Sequence, residues 1–418
     1  MKKIVINGGK SLSGTINISG AKNSAVALIP ASVLCDEDVK IYNVPNISDR
    51  DALINILNEL NCKSEVKGDV INIDTSNVSN KRISLELSKK MRASYYFMGA
   101  LLSKFKHVEM YFPGGCNIGK RPIDIHIKGF EALGATVKIN GDLYIIDAEE
   151  LNGAKITLDF ASVGATINIM LAAIKAKGKT IIKNAAREAE IVNIATFLNN
   201  MGARVTGAGT SEIHIEGVEK LHRAMIEVIP DRIEAGTYII LGAMIGNNLK
   251  INNIIPDHIN ALLSKLDDMK IKYELDETSI TISRCENIKP TNIKTAVFPG
   301  FPTDIGQPMM TLLTQANGVS MYEETIWENR MGHVKYLNKM GSNIKNGNTN
   351  AVIIGPTPLH GCDVEATDLR GGAAMVLAGL IADGTTKVSS IEHILRGYDN
   401  IIEKLKDVGA DIEIIEEN

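Results

Sequence analysis

The cysteines of this 418-residue chain have no obvious partners. Cys35, Cys62, Cys116, Cys285 and Cys362 are odd in number, far apart and free of any Cys-x-x-Cys pair. That spacing argues against a disulfide framework and a cysteine zinc site, and predicts free thiols in a reducing compartment, the cytoplasm. The eight histidines show no metal-ligand spacing either, so no metal is expected. No charge of one sign dominates: 45 lysines and arginines face 49 aspartates and glutamates, for a formal net charge of -4 and no basic tail. Nucleic-acid or membrane-surface partners are therefore not expected. The longest apolar runs, near 238–245 and 373–382, are too short to span a bilayer, and the basic tip at Lys2 and Lys3 leads into no signal-peptide core. A phosphate-binding P-loop, a dinucleotide glycine fingerprint and a Ser-His-Asp order are all missing. Trp327, the one tryptophan, reads as a packing residue.

What is present is ordinary in bulk and unusual in arrangement. Apolar residues make up 44% and charged residues 22%, enough for two or three domains with substantial cores. A helix end of the form (Leu/Phe)-x-x-(Leu/Met/Val)-Gly-(Ala/Ser) recurs. Its glycine, or the residue replacing it, falls at Asn61, Gly134, Gly202, Lys270, Gly341 and Gly409, 68 to 73 residues apart. Such a period marks an array. The first and fourth copies lack the glycine and are followed by the longer intervals, which predicts two homologous domains of three repeats each. Hairpin signals follow the glycines, with Asn140-Gly141 and Asn346-Gly347 as turns. Helices apolar all round come next, as at 164–174 and 371–381, and such helices belong inside. The predicted unit is β-β-α-β-α, giving an α/β fold with sheets wrapped around buried helices.

Polar residues gather where these helices begin. Lys22-Asn23, Arg92, Ser162-Val163-Gly164, Asp304 and Asp368-Leu369-Arg370 open the apolar helices, while Arg121 to Asp124, Arg330 and Arg396 open the second ones. Helix N-termini attract anions. Ser48, Ser162 and Asp257 read as ordinary caps. A cation in a first turn opposes the helix dipole at about 0.3–1 kcal/mol, and Lys22, Arg92, Arg370 and Arg396 are read as accepting that cost for a shared anionic ligand. Arginine is the scarcer basic residue, yet Arg92, Arg121, Arg330, Arg370 and Arg396 all stand near glycines, prolines or polar junctions, and its planar fork suits carboxylate and phosphate oxygens. In the loop 113–124 the thiol of Cys116 lies among Gly114, Gly115 and Gly119, five residues before Arg121. This pairs a proton donor with an anion grip in what reads as a mobile lid.

These motifs, with Met91 to Ser94 and Phe301 to Thr303, resemble in order and over essentially the whole chain the UDP-N-acetylglucosamine 1-carboxyvinyltransferase family of enolpyruvyl transferases. The Pro-Gly-Gly-Cys-x-Ile-Gly-x-Arg-Pro loop is specific, because the sister enzyme acting on shikimate 3-phosphate lacks it. The resemblance implies a two-domain inside-out α/β barrel, with one domain at 21–230, the other at 1–20 plus 231–418, and the active site in the cleft between them. It also implies enolpyruvyl transfer from phosphoenolpyruvate to the 3-hydroxyl of UDP-N-acetylglucosamine with loss of phosphate, the first committed step of peptidoglycan synthesis, without a cofactor, by a monomer or weak oligomer.

By the same resemblance Cys116 is the acid, still protonated at neutral pH with a thiol pKa near ~8.5, and the target of fosfomycin. Asp304 is the base, and Lys22 and Arg396 share in catalysis. Lys22, Asn23, Arg121 and Arg396 hold phosphoenolpyruvate. Asn23, Arg92, Arg121, Pro122, Ile123, Asp124, Ile125, Ser162, Val163, Gly164, Asp304 and Ile326 hold the UDP-sugar, and Arg330, Asp368 and Arg370 line the cleft. Phe160 departs from members that carry lysine there. The rival readings are transfer to shikimate 3-phosphate, against which Cys116 argues, a non-catalytic UDP-sugar-binding regulator, and a repeat scaffold that leaves the arginines unexplained.

Overall fold

The computed structural model describes residues 2–114 and 123–417. Its period has a backbone cause. All six helix-ending positions take positive φ: Asn61 at 63°, Gly134 at 100°, Gly202 at 99°, Lys270 at 60°, Gly341 at 109° and Gly409 at 100°. In each case the next residue donates its N–H to the carbonyl five positions earlier, as in Cys62 to Leu57 at 2.9 Å and Ala410 to Leu405 at 3.0 Å. The left-handed residue thus closes the helix and turns the chain into a strand. Glycine reaches this conformation freely. Asn61 has a short amide whose bonds to Ser79 and Lys81, at 3.0 Å each, help hold it there, whereas Lys270 carries a Cβ penalty of roughly 1–2 kcal/mol.

The strands form six sheets, five of four strands and one of three, among the described residues. One sheet shows the rule. Arg204–Thr206 and Glu212–Glu216 are an antiparallel hairpin, Lys179–Lys183 pairs antiparallel with the second of these, and the short Lys155–Thr157 runs parallel beside it. Ile156, Ile182 and Ile213 stand in register and are buried, each contributing roughly 1.5–3 kcal/mol. The parallel pair needs a crossover, and the buried helix Val163–Ala173 supplies it. The short parallel edge strand corrects the predicted β-β-α-β-α unit. Ala224–Glu227, Ile293–Lys294 and Asp363–Glu365 play the same part elsewhere. In the sheet of His107–Tyr111 the part shrinks to a single bridge between Ile83 and Met110. Segments of two to four residues offer too little alternation to be read as strands.

The chain divides into two compact units, residues 20–114 and 123–229 in one, 2–19 and 230–417 in the other. Each holds three of the sheets. In the first, the helices Lys22–Ala31, Tyr96–Phe105 and Val163–Ala173 are largely buried. In the second, Arg232–Ile245, Gly306–Leu313 and Leu369–Ile381 are. The second unit unites the chain ends, since Lys2–Asn7 lies between Thr385–Ser389 and Asp411–Glu416, with Ile4 facing both Val388 and Ile414. Among the described residues no helix is long and apolar enough to cross a membrane.

Candidate functional site

In the first unit Lys22 begins the helix Lys22–Ala31, whose N-terminus has no side-chain cap. Its Nζ lies 2.8 Å from Asp49 Oδ2, with both side chains mostly buried. Asp49 belongs to the first turn of Ser48–Glu59, so one helix start carries the cation and a neighbouring one its counter-charge. Asn23, the next residue, is half-buried. Arg92 opens the short turn Arg92–Tyr95, and its guanidinium sits 5.6 Å from the Tyr95 ring centre. Burial lowers the Arg92 proton affinity, partly offset by Tyr95 and Tyr96.

Tyr95 in turn meets His126 edge-on, ring centres 4.8 Å apart. His126 is buried, and burial, with the nearby Arg92 charge, pushes its pKa down to about 3. It stays neutral and shares a 3.0 Å contact with Asn168. A Cβ on Gly164 would fall 2.5 Å from the Tyr95 hydroxyl oxygen and 3.2 Å from the His126 ring, so only glycine lets these side chains close over the helix start. Ser162 caps that helix by accepting from Ala165 N–H at 3.2 Å, and Val163 is its first residue. Ile123, Asp124 and Ile125 lead into Asp124–Ala132, the helix that carries His126. Cys116, Arg121 and Pro122 lie outside the described residues.

The second unit gathers Asp304, Arg330, Asp368 and Arg370. Asp304 lies in the turn Thr303–Ile305 at the head of Gly306–Leu313. Arg330 Nη2 donates to its Oδ1 at 2.9 Å and Arg370 Nη2 to its Oδ2 at 3.3 Å. Both arginine side chains are about 5% exposed (6% and 4%), against 24% for Asp304. Burial alone would raise the Asp304 pKa, but the guanidiniums of Arg370, Arg330 and Arg232 outweigh it and hold the carboxyl well below the usual range. Asp368 accepts from the backbone N–H groups of Arg370 and Gly371, at 3.0 and 3.1 Å, and so fixes the helix start that delivers Arg370. The Arg370 guanidinium also lies 5.4 Å from the centre of the Tyr398 ring.

Two buried guanidiniums thus share one carboxylate. Among the described residues Arg330 Nε and Arg370 Nη1 have no hydrogen-bond partner. A buried donor left without an acceptor costs roughly 1–3 kcal/mol, so the pair favours an oxygen-rich, anionic ligand. Ile326 is half-buried in the same unit, in the stretch leading to Arg330. Among the described residues no group of three or more histidine, cysteine, aspartate or glutamate side chains could hold a metal ion.

Several placements differ from expectation. Lys22 and Arg370 do stand in first turns, but Arg396 follows the short helix Glu392–Leu395 at its C-terminal end, where a cation is favoured. Arg330 precedes the helix Val334–Lys339 by four residues instead of opening it. Ser48 lies inside its helix, behind the uncapping Ile47, and Asp257 sits within the turn Pro256–Ile259, so of the three expected caps only Ser162 bonds as one. Asp49, Arg232, Tyr95 and His126 were not singled out. Asp49 and Arg232 had a signal, since each stands in a polar helix opener. Tyr95 and His126 had none, because their importance lies in meeting Gly164 across the fold.

Known proteins match along the whole chain. The family model for EPSP synthase (3-phosphoshikimate 1-carboxyvinyltransferase) matches residues 6–405. A UDP-N-acetylglucosamine 1-carboxyvinyltransferase 2 of Geobacillus kaustophilus is 50% identical over 412 residues, 99% of this chain and 96% of that one. A UDP-N-acetylglucosamine 1-carboxyvinyltransferase 1 of Streptococcus agalactiae is 48% identical over 419 residues, covering all of both chains. Among solved structures, the enolpyruvyl transferase NikO of Streptomyces tendae aligns with a TM-score of 0.91 at 25% identity, over 100% of this chain and 99% of its own. EPSP synthase of Acinetobacter baumannii shares the fold, with a TM-score of 0.76 at 17% identity over 100% of both chains. With a family model spanning nearly its full length and relatives identical at about half of all positions, this chain belongs to the EPSP synthase family of carboxyvinyl, or enolpyruvyl, transferases.

Proposed function

We propose that this protein transfers the enolpyruvyl group of phosphoenolpyruvate to the 3-hydroxyl of UDP-N-acetylglucosamine and releases phosphate, opening peptidoglycan synthesis. The observation that carries this reading is full-length identity near one half with enzymes named for that sugar nucleotide. The chemistry needs a proton for the vinyl CH2, a base for the sugar hydroxyl and cations for a phosphate and a carboxylate. Cys116 gives the proton and Asp304 takes the one from the hydroxyl. Lys22, Asn23, Arg121 and Arg396 hold phosphoenolpyruvate, with Lys22 and Arg396 stabilising charge as it grows on the departing phosphate. Asn23, Arg92, Arg121, Pro122, Ile123, Asp124, Ile125, Ser162, Val163, Gly164 and Ile326 hold the UDP-sugar. Arg330, Asp368 and Arg370 orient Asp304 and the ligands. Asp304 enters the reaction as a carboxylate, the form a base requires, since its two arginines keep it ionised.

Each unit is read as three copies of one sheet-and-helix repeat around buried helices, the inside-out α/β barrel. We place the enzyme in the cytoplasm, as a monomer or weak oligomer without a cofactor. The test is phosphate release from phosphoenolpyruvate with and without UDP-N-acetylglucosamine. Release that requires the sugar nucleotide is expected. No release with sugar-nucleotide binding intact would turn the reading into that of a regulator, and release driven by shikimate 3-phosphate instead would overturn the substrate.

A further inference from the structure

Glu324 is 3% exposed and, of the residues assigned above, bonds only the backbone of Ile326. Among the described residues no cation bonds it. Five donors converge on its carboxylate instead. Oε1 accepts from Thr295 Oγ1 at 3.0 Å and from the backbone N–H groups of Ile326 at 2.8 Å and Trp327 at 3.2 Å. Oε2 accepts from Thr303 Oγ1 at 2.7 Å and from the Tyr322 hydroxyl at 3.1 Å. A buried carboxylate without such donors would be strongly disfavoured, and a fully bonded one makes a rigid joint.

The joint lies between two working segments. On one side Thr303 begins the turn that contains Asp304. Tyr322 reaches the residue just after that turn, since a Cβ on Gly306, the first residue of the following helix, would fall 2.0 Å from its hydroxyl oxygen. Asp304 therefore lies between Thr303, which is bonded to Glu324, and Gly306, two residues on, which is packed against a Glu324 partner. On the other side Ile326 and Trp327 are held by the opposite carboxylate oxygen. Thr325 closes the arrangement, its N–H donating to Thr295 Oγ1 at 2.8 Å and its hydroxyl to Thr295 O at 2.6 Å.

We infer that Glu324 is a positioning residue that locks the turn of the base Asp304 to the sugar-contacting segment at Ile326, so that the base and the hydroxyl it deprotonates keep a fixed register. The inference rests on the proposed transferase reading. Displacement of a reacting group by about 1 Å can cost on the order of a hundredfold in rate. Glu324→Gln should be tolerated, because its carbonyl can still accept from Thr295, Ile326 and Trp327 while its NH2 donates to the hydroxyls of Thr303 and Tyr322, which turn to accept.

Steady-state phosphate release, with varied UDP-N-acetylglucosamine, tests this on the full chain. Glu324→Ala should lower kcat about 30-fold or more, and Thr303→Val, which cuts only the link to the base turn, about tenfold with the KM for the sugar nucleotide within about twofold. Glu324→Gln should stay within about threefold of the native kcat. A Thr303→Val enzyme with native kcat overturns the inference, whether or not Glu324→Ala folds. So does a Glu324→Ala enzyme that melts earlier yet turns over normally, since that is the behaviour of a purely structural residue. If the native chain releases no phosphate, the functional reading fails and takes the inference with it; if only the variants behave natively, the reading stands and the inference falls.

Discussion

Replacing Asp304 with asparagine separates the duty the structure shows, holding two arginines together, from the one proposed for it, accepting a proton. The carboxylate lies 2.9 Å from Arg330 and 3.3 Å from Arg370, whose side chains are 6% and 4% exposed. Removing one partner of a buried ion pair costs roughly 3–5 kcal/mol. Two facts reduce that here. Asp304 itself is 24% exposed, so water screens part of the interaction, and asparagine keeps one oxygen that can accept from Arg330. We expect about 2 kcal/mol, or about 4–8 °C in Tm for a unit of this size. Loss of a general base should lower kcat about 10²- to 10⁴-fold. Turnover should thus fall by far more than stability explains.

The sign with pH follows from the depressed pKa of Asp304. A carboxyl whose folded pKa lies below its unfolded value contributes its full stability above the unfolded value, near ~3.9, and loses it as pH falls towards the folded one. The Tm difference between native protein and Asp304→Asn should therefore be constant from about pH 5 to 9 and shrink only below about pH 4. Thermal melts across that range, beside phosphate release at neutral pH, are the assay. A difference that changes between pH 6 and 8 would refute the claim that the arginines keep Asp304 ionised.

Cys116→Ala should fold normally and lose about 10²- to 10⁴-fold in turnover, with fosfomycin no longer modifying the protein by mass; normal turnover would remove the thiol from its assigned role. His126 and His333 are buried neutral, with burial pushing their pKa values down to about 3 and about 4. Both take up protons on unfolding below the ordinary histidine pKa of ~6.5, so stability should fall as pH drops from about 6.5 to 4, by up to ~2.7 kcal/mol per pH unit for the two together. Denaturant titrations of His126→Gln and His333→Gln should each show about half that slope, and an unchanged slope would count against it. Gly164→Ala should push Tyr95 and His126 aside, and with Tyr95 the Arg92 that sits over its ring, costing about 1–3 kcal/mol and raising the KM for UDP-N-acetylglucosamine more than it lowers kcat, as read by melts and steady-state kinetics.

The array was legible because one local device sets it. A left-handed residue closing each helix leaves a glycine in four copies of six, and the other two follow from the spacing even though Asn61 and Lys270 replace it. The apolar helices were legible from composition, since 371–380 in Leu369–Ile381 are buried without a break. The short parallel edge strands of the other sheets were not, being two to four residues long and defined by a neighbour, unlike the six-residue Leu12–Asn17. Asp304, Arg330 and Arg370 could be named individually, but nothing along the chain says that residues 26 and 66 positions from Asp304 end on the same carboxylate. Arg396 misled for a local reason: it closes the four-residue helix Glu392–Leu395 and stands five residues before the next helix, Ile401–Asp407, so the polar run fills the gap between two helices.

That correction moves the argument for an anionic ligand from helix dipoles to the arginine pair. Arg330 and Arg370 hold the Asp304 carboxyl well below the usual range, which makes it a weak proton acceptor for its proposed role as base. A ligand anion that engages the guanidiniums weakens their hold. At an effective dielectric of about 20, a unit negative charge about 6 Å from the carboxylate raises its proton affinity by ~2.8 kcal/mol, about a hundredfold. The buried donors Arg330 Nε and Arg370 Nη1, without partners among the described residues, give such an anion a place to bind. In the proposed reaction the charge of a bound substrate and proton uptake by Asp304 are then linked through these two side chains, and we expect Asp304 to act as an effective base only when there is an anion for the arginines to hold.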